Sequence, residues 1–109
     1  MTDPIEYLRI QVGGSKKLYA FMIDTFSSAY KQDLIDIKQA IKDRNINRLN
    51  GFSHKFKNQI IYFYPLDHEF IRTIQQLQDT EKINRETVHQ FKNIVKYTSE
   101  LVEVLGIKD

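Results

Sequence analysis

Apolar residues along most of this chain recur at alternating intervals of three and four, the spacing of one face of an α-helix. The longest series runs from Tyr19 to Ile41 and predicts a long second helix after a short first one. Further series predict a third helix that ends at Pro65, a fourth from Pro65 to Leu77, and a last one after Arg85. Strand-like alternation is sustained nowhere, so the pattern predicts an all-α fold.

The predicted inward positions follow this spacing in each helix. In chain order they are Ile5, Leu8 and Val12; Tyr19, Ile23, Phe26, Tyr30, Leu34, Ile37 and Ile41, widened by Leu18, Met22 and Ala29; Ile46, Leu49, Phe52, Phe56, Ile60 and Phe63; Leu66, Phe70, Ile74 and Leu77; and Val88, Phe91, Val95, Leu101, Val102 and Leu105.

Short polar residues stand where these helices should begin. Asp3, followed by Pro4, is the expected N-cap of the first helix, Ser15 of the second and Asn45 of the third. Asp67 and Glu69 would lie in the favourable first turn of the fourth helix, and the polar stretch 78–85 reads as a loop. Long amphipathic helices joined by short turns predict an antiparallel four-helix bundle with a short extra N-terminal helix, as a single domain over residues 1–109.

Composition removes several classes of function. A chain of 109 residues fits one domain, and the absence of cysteine excludes disulfides, thiolate zinc sites and cysteine nucleophiles. The net charge of +2 is too small to indicate nucleic-acid or membrane binding by itself. The N-terminus lacks the features of a secretory signal, and the longest apolar run, 60–64, is far below the roughly 20 residues of a membrane span. We therefore expect a cytoplasmic protein. A monomer is the expected state.

The third helix carries an unusual polar stripe. At about 100° per residue, Asn50, His54, Lys57 and Ile61 lie outside its core-facing side and should face mostly solvent. Residues 42–59 contain five basic residues and one acidic residue, so this window carries +4 while the rest of the chain carries −2. A neutral imidazole nitrogen is a nucleophile, and neighbouring lysines suit an anionic group such as a phosphoryl group.

The sequence Ser53-His54-Lys55-Phe56-Lys57 resembles the acceptor motif of histidine-containing phosphotransfer (HPt) domains, in which an exposed histidine is followed by an apolar residue two positions later and a lysine three positions later. Its setting is similar too. Phe26 resembles the family's aromatic in the long helix, and the segments 33–41 and 65–77 resemble the helices that flank the histidine helix. The likeness covers roughly residues 10–78 directly.

The resemblance implies a phosphorelay intermediate, a phosphocarrier without kinase activity of its own. Such domains take a phosphoryl group from the aspartyl phosphate of a receiver domain, in a response regulator or a hybrid histidine kinase, and pass it to another receiver. By position, His54 would be the phosphoacceptor and Lys57 the charge stabiliser. Asn50, Lys55, Asn58 and Ile61 would dock the receiver. No cofactor is implied on this chain, because Mg²⁺ would be held by the receiver.

The chain departs from the family pattern directly after the lysine, where Asn58 and Gln59 replace the usual glycine and small residue. Asn58 could crowd a receiver or donate to the phosphoryl group, which leaves open an alternative: an HPt-like adaptor that docks receivers or kinases without carrying phosphate. A basic nucleic-acid-binding helical domain is a second rival, motivated by the +4 window. Glu86 and His89 lack the partner residues of a metal site, as does His68, so no metal is expected.

Overall fold

The computed structural model describes residues 3–108, which form five α-helices and no strand. They are α1 (Pro4–Gln11), α2 (Lys16–Lys42), α3 (Ile46–Ile60), α4 (Glu69–Gln78) and α5 (Arg85–Val104). The all-α prediction is confirmed. The predicted domain over residues 1–109 also includes Met1, Thr2 and Asp109, which lie outside the described residues. Within the described chain, each helix is either too short or too polar to cross a lipid bilayer.

The predicted N-caps are formed. The side chains of Asp3, Ser15 and Asn45 accept hydrogen bonds from backbone N–H groups three residues later, at 2.9, 3.2 and 3.0 Å. Each bond satisfies one of the donors that the first turn of a helix leaves without a partner. These local signals fix where α1, α2 and α3 begin.

The core lies among four of the helices. α2 packs against α3 and α5, and α4 packs against the same two, while α1 lies against α5. Phe26 of α2 stacks on Tyr30 at a ring-centre distance of 5.1 Å and meets Phe63 edge to face at 5.4 Å. The completely buried large side chains are Leu8, Phe26, Ile37, Leu49, Phe56, Ile60, Phe63, Phe70, Ile74, Leu77, Ile94 and Leu101.

The boundary between α3 and α4 differs from the prediction. α3 ends at Ile60 rather than at Pro65, although Phe63 still folds back into the core. α4 begins at Glu69, because Nδ1 of His68 accepts the Phe70 N–H at 3.1 Å and makes His68 the N-cap. Pro65 therefore belongs to the preceding turn, and the predicted inward residue Leu66 is 71% exposed.

The predicted inward face of α5 is confirmed in part. Leu101 is buried, and Phe91, Val102 and Leu105 pack against the core. Val88 and Val95, also predicted to face inward, are exposed, whereas Thr87, Ile94 and Thr98 are buried. The hydroxyl of Thr98 donates to the Ile94 carbonyl at 2.7 Å, so it needs no partner from another helix. Leu18 of α2, expected to widen the core face, is likewise exposed.

Candidate functional site

His54 lies in the middle of α3 and is exposed to solvent. Its face of the helix is turned away from Leu49, Phe56 and Ile60, which are completely buried. Gly51 lies about one turn before His54 on the same helix. A methyl group at Gly51 would meet no atom within 4 Å, so no packing contact requires glycine there. The surface beside the ring is therefore open.

Among the described residues, the imidazole has one side-chain hydrogen-bond partner, on the next turn of α3. Nδ2 of Asn58 lies 3.3 Å from Nε2 of His54. An amide N–H donates, so this contact is compatible with the neutral tautomer in which Nε2 accepts and Nδ1 carries the proton.

Lys57 and Asn50 do not face the same way as His54. Nζ of Lys57 donates to Oε1 of Gln75 on α4 at 2.8 Å, and the lysine is half-buried. Nδ2 of Asn50 donates to the carbonyls of Leu77 and Thr80 at 3.3 and 3.2 Å. Both side chains therefore join α3 to α4. The Asn50 amide is therefore occupied by hydrogen bonds to backbone carbonyls, and the Lys57 ammonium lies toward α4.

Lys55 turns to the opposite flank of α3. Its Nζ lies 3.5 Å from Oδ1 of Asp33, a carboxylate of α2 that is only 3% exposed. Nε2 of Gln59 donates to the other oxygen of Asp33 at 2.6 Å. A buried carboxylate is tolerated when it is paired and hydrogen-bonded, and here it joins α2 to α3. Sequence reasoning missed this role for Asp33 and Gln59.

Ile61 is not the exposed apolar residue that the helical pattern predicted. It is the C-cap of α3, half-buried and packed against the core. The exposed apolar surface on this side comes instead from Phe21 of α2, which is 62% exposed, and from Tyr62, at 40%. These two residues and Asn58 line one shallow groove between α2 and the end of α3.

The predicted site therefore divides into three parts. His54 and Asn58 are together and exposed, Asn50 and Lys57 hold α4, and Lys55 faces Asp33. The basic window 42–59 is accordingly spread over different faces and does not form one positive stripe. In the described residues, no group of three or more histidine or carboxylate side chains could hold a metal ion.

A second cluster lies around the start of α4, and it is aromatic. The rings of Tyr64 and His68 are 4.4 Å apart, and Tyr97 of α5 stacks near Phe70 at 5.3 Å. Burial, with a smaller contribution from Glu100, raises the pKa of Tyr64 to about 12. Burial also raises the pKa of Tyr97, helped by a hydrogen bond to Glu69. Both phenols therefore keep their protons to a higher pH than an ordinary tyrosine does.

No family model, curated protein or solved structure matches this chain.

Proposed function

We propose that this chain is a phosphocarrier that accepts a phosphoryl group on Nε2 of His54 from the aspartyl phosphate of a receiver domain and passes it to another receiver. The observation that carries the proposal is the exposed imidazole in the middle of α3, whose Nε2 lies beside the Asn58 amide. The resemblance of residues 53–57 to the HPt acceptor motif supplies the partner class. The antiparallel four-helix arrangement of that family agrees with the packing of α2, α3, α4 and α5, each against two neighbours.

The atoms and charges of the transfer balance with the His54 imidazole as the reacting group of this chain. The Nε2 lone pair attacks phosphorus, the bond from phosphorus to the aspartyl oxygen breaks, and the aspartate leaves as a carboxylate. The imidazole keeps its Nδ1 proton and becomes cationic, or releases that proton to solvent. Phosphoryl transfer needs chiefly positioning and neutralisation of charge, and the receiver supplies its acidic pocket with Mg²⁺. Return to a second receiver reverses these steps.

Lys57 is the cation proposed to approach the phosphoryl group. Its partner Gln75 is a neutral amide, so moving the ammonium from Gln75 to the phosphoryl group breaks no ion pair. Lys55 differs, because it already faces the Asp33 carboxylate at 3.5 Å. An ammonium beside a carboxylate has less attraction to offer a phosphoryl group, which makes Lys55 the weaker candidate.

The receiver is proposed to dock over the groove between α2 and α3. Phe21 and Tyr62 provide exposed apolar area there, and Asn58 connects that area to His54. Exposed aromatic residues at the centre of a contact commonly supply much of the binding free energy. Ile61 has no such role in this proposal, because it packs against the core.

The adaptor alternative has one specific observation in its favour. The Asn58 amide occupies the lone pair that would attack phosphorus, and it stands where the family usually has glycine. A chain that kept the docking surface but no longer accepted phosphate could retain such a bond.

One experiment separates the two functions. A panel of receiver domains, each charged with radiolabelled phosphate, is incubated with the chain, and binding is measured in parallel. Movement of acid-labile label to this chain supports the phosphocarrier, whereas binding without movement of label identifies the adaptor. The Phe21→Ala variant should weaken docking in both cases, and exposed Ile35→Ala, also on α2, is its matched control.

A further inference from the structure

A separate groove lies where the α2–α3 turn meets the loop between α4 and α5. Four cationic side chains surround it: Lys42, Arg44, Arg85 and Lys92, all exposed. His54 follows the start of α3 by eight residues, or about 12 Å along the helix axis. The groove is therefore independent of the proposed phosphotransfer site.

Within the described residues, the cations of this groove have no carboxylate in direct contact. No aspartate or glutamate lines it, and in the described part of the chain none of the four cations lies within 4 Å of a carboxylate. Asp43, the acidic residue within the turn, accepts a hydrogen bond from Gln39 at 2.9 Å and does not line the groove. Glu86 lines the neighbouring groove instead. Four like charges thus converge on one concave surface.

Two of these cations occupy positions that their backbone setting disfavours. Arg44 has φ = 53°, in the left-handed region where glycine or asparagine would be less strained. Arg85 is the first residue of α5, next to the positive end of the helix dipole, where an acidic residue would be more favourable. Departures from local preference concentrate where a residue has a binding role.

Arg44 also fixes the shape of the groove. Its Nη1 donates to the carbonyl of Ile83 at 3.2 Å, which joins the α2–α3 turn to the α4–α5 loop. The capping box between Asn84 and Thr87 holds the start of α5 in place. The two rims are therefore positioned before any partner arrives, which lowers the entropic cost of binding.

The interior of the groove is aliphatic. Ile41 and Ile83 are half-buried and Val88 is 42% exposed, while Asn84 and His89 complete the lining. Single-stranded nucleic acids bind on platforms of several aromatic side chains, and no Phe, Tyr or Trp side chain joins the His89 ring in this lining. An aliphatic interior surrounded by cations matches a peptide that combines carboxylates with an aliphatic side chain.

We propose that this groove binds an acidic segment of a partner protein, with an aliphatic side chain of the segment against Ile41, Ile83 and Val88 and its carboxylates on the surrounding cations.

The test uses a fluorescent peptide in which one leucine is flanked on both sides by glutamates, with fluorescence anisotropy as the readout. The Arg85→Gln/Lys92→Gln double variant should weaken binding by about tenfold. The Lys16→Gln/Lys17→Gln double variant removes the same charge from the far end of α2 and should leave affinity unchanged. Arg44→Gly relieves the strained φ, so it should fold normally yet bind the peptide less tightly.

A peptide with alanine in place of leucine should bind several-fold more weakly. Equal binding by the leucine and alanine peptides, or equal weakening by both double variants, would overturn the proposal in favour of diffuse charge attraction. A single-stranded oligonucleotide that binds more tightly than the peptide, and that the Arg85→Gln/Lys92→Gln variant loses, would also overturn it and assign the groove to nucleic acid.

Discussion

The amide Nδ2 of Asn58 lies 3.3 Å from Nε2 of His54, one turn earlier on α3. Phosphoryl transfer to Nε2 requires this hydrogen bond to break, at a net cost of about 0.5–1.5 kcal/mol. Asn58→Ala should therefore accelerate phosphoryl uptake by about twofold to tenfold. Single-turnover transfer from a labelled receiver measures the rate.

The chain contains a matched control for this substitution. Nδ2 of Asn93 lies 3.5 Å from Nε2 of His89 on α5, so Asn93→Ala removes the same kind of contact at a histidine that is not proposed to react. The rate of phosphoryl transfer to the Asn93→Ala variant should equal that of the unaltered chain. Slower uptake in Asn58→Ala would show instead that the amide assists the reaction, for instance by donating to the phosphoryl oxygens.

Lys57→Met should slow phosphoryl transfer by about tenfold while docking affinity changes by less than about twofold. The reason is that the ammonium acts on the phosphoryl charge, whereas the aliphatic stem is preserved. Lys55→Met is the matched control, because Lys55 faces Asp33 and should have little effect on transfer. Transfer rates and receiver affinities are measured separately for both variants. An equal loss in both quantities for Lys57→Met would contradict a role specific to the phosphoryl group.

Asp33 should be a major contributor to the contact between α2 and α3. Asp33→Ala removes the acceptor of the Gln59 amide and is expected to lower the free energy of unfolding by about 1–3 kcal/mol. Lys55→Met should lower it by less than about 0.5 kcal/mol, since the Lys55 side chain is 63% exposed. Urea unfolding of the two variants measures both free energies. Similar losses of stability in both would refute the larger contribution assigned to Asp33.

Alkaline pH should destabilise the protein through Tyr64. Its pKa is about 12 in the folded chain against an ordinary value of 10.0, so the unfolded chain loses the phenolic proton first. Stability from this group is complete below about pH 10 and falls as the pH rises toward 12. The midpoint of urea unfolding should fall less steeply with pH in this range for Tyr64→Phe than for the unaltered chain. An identical fall with pH in both proteins would exclude Tyr64 as a source of the lost stability.

The sequence predicted the helices well where the signals are local. Asp3, Ser15 and Asn45 cap their helices because a short polar side chain can reach the backbone of its own first turn. His68 was not recognised as a cap, since a ring nitrogen serves there in place of a short oxygen-bearing side chain. Pro65 suited both the end of one helix and the start of the next, but it does neither, because α3 ends at Ile60 and the His68 cap starts α4 at Glu69.

Burial was harder to predict for residues that are polar by class. Thr87 and Thr98 are buried on α5 because their hydroxyls bond within their own segment and leave the methyl groups to the core. Apolar character alone therefore predicted burial of Val88 and Val95 and not of Thr87 and Thr98. Asp33 was overlooked because its burial depends on Gln59 and Lys55, which lie more than 20 positions away along the chain. The exposure of His54 follows from periodicity on one helix, which the sequence does contain.

The most direct test of the phosphocarrier proposal is to map the modified residue by mass spectrometry after incubation with phosphorylated receivers, under conditions that preserve acid-labile phosphate. His54→Gln is the comparison, and it should unfold at the same temperature as the unaltered chain because the side chain at this position is exposed. The proposal predicts one phosphoryl group, on His54, and none on the variant. Phosphate on His68 or His89, or uptake that persists in His54→Gln, would contradict it.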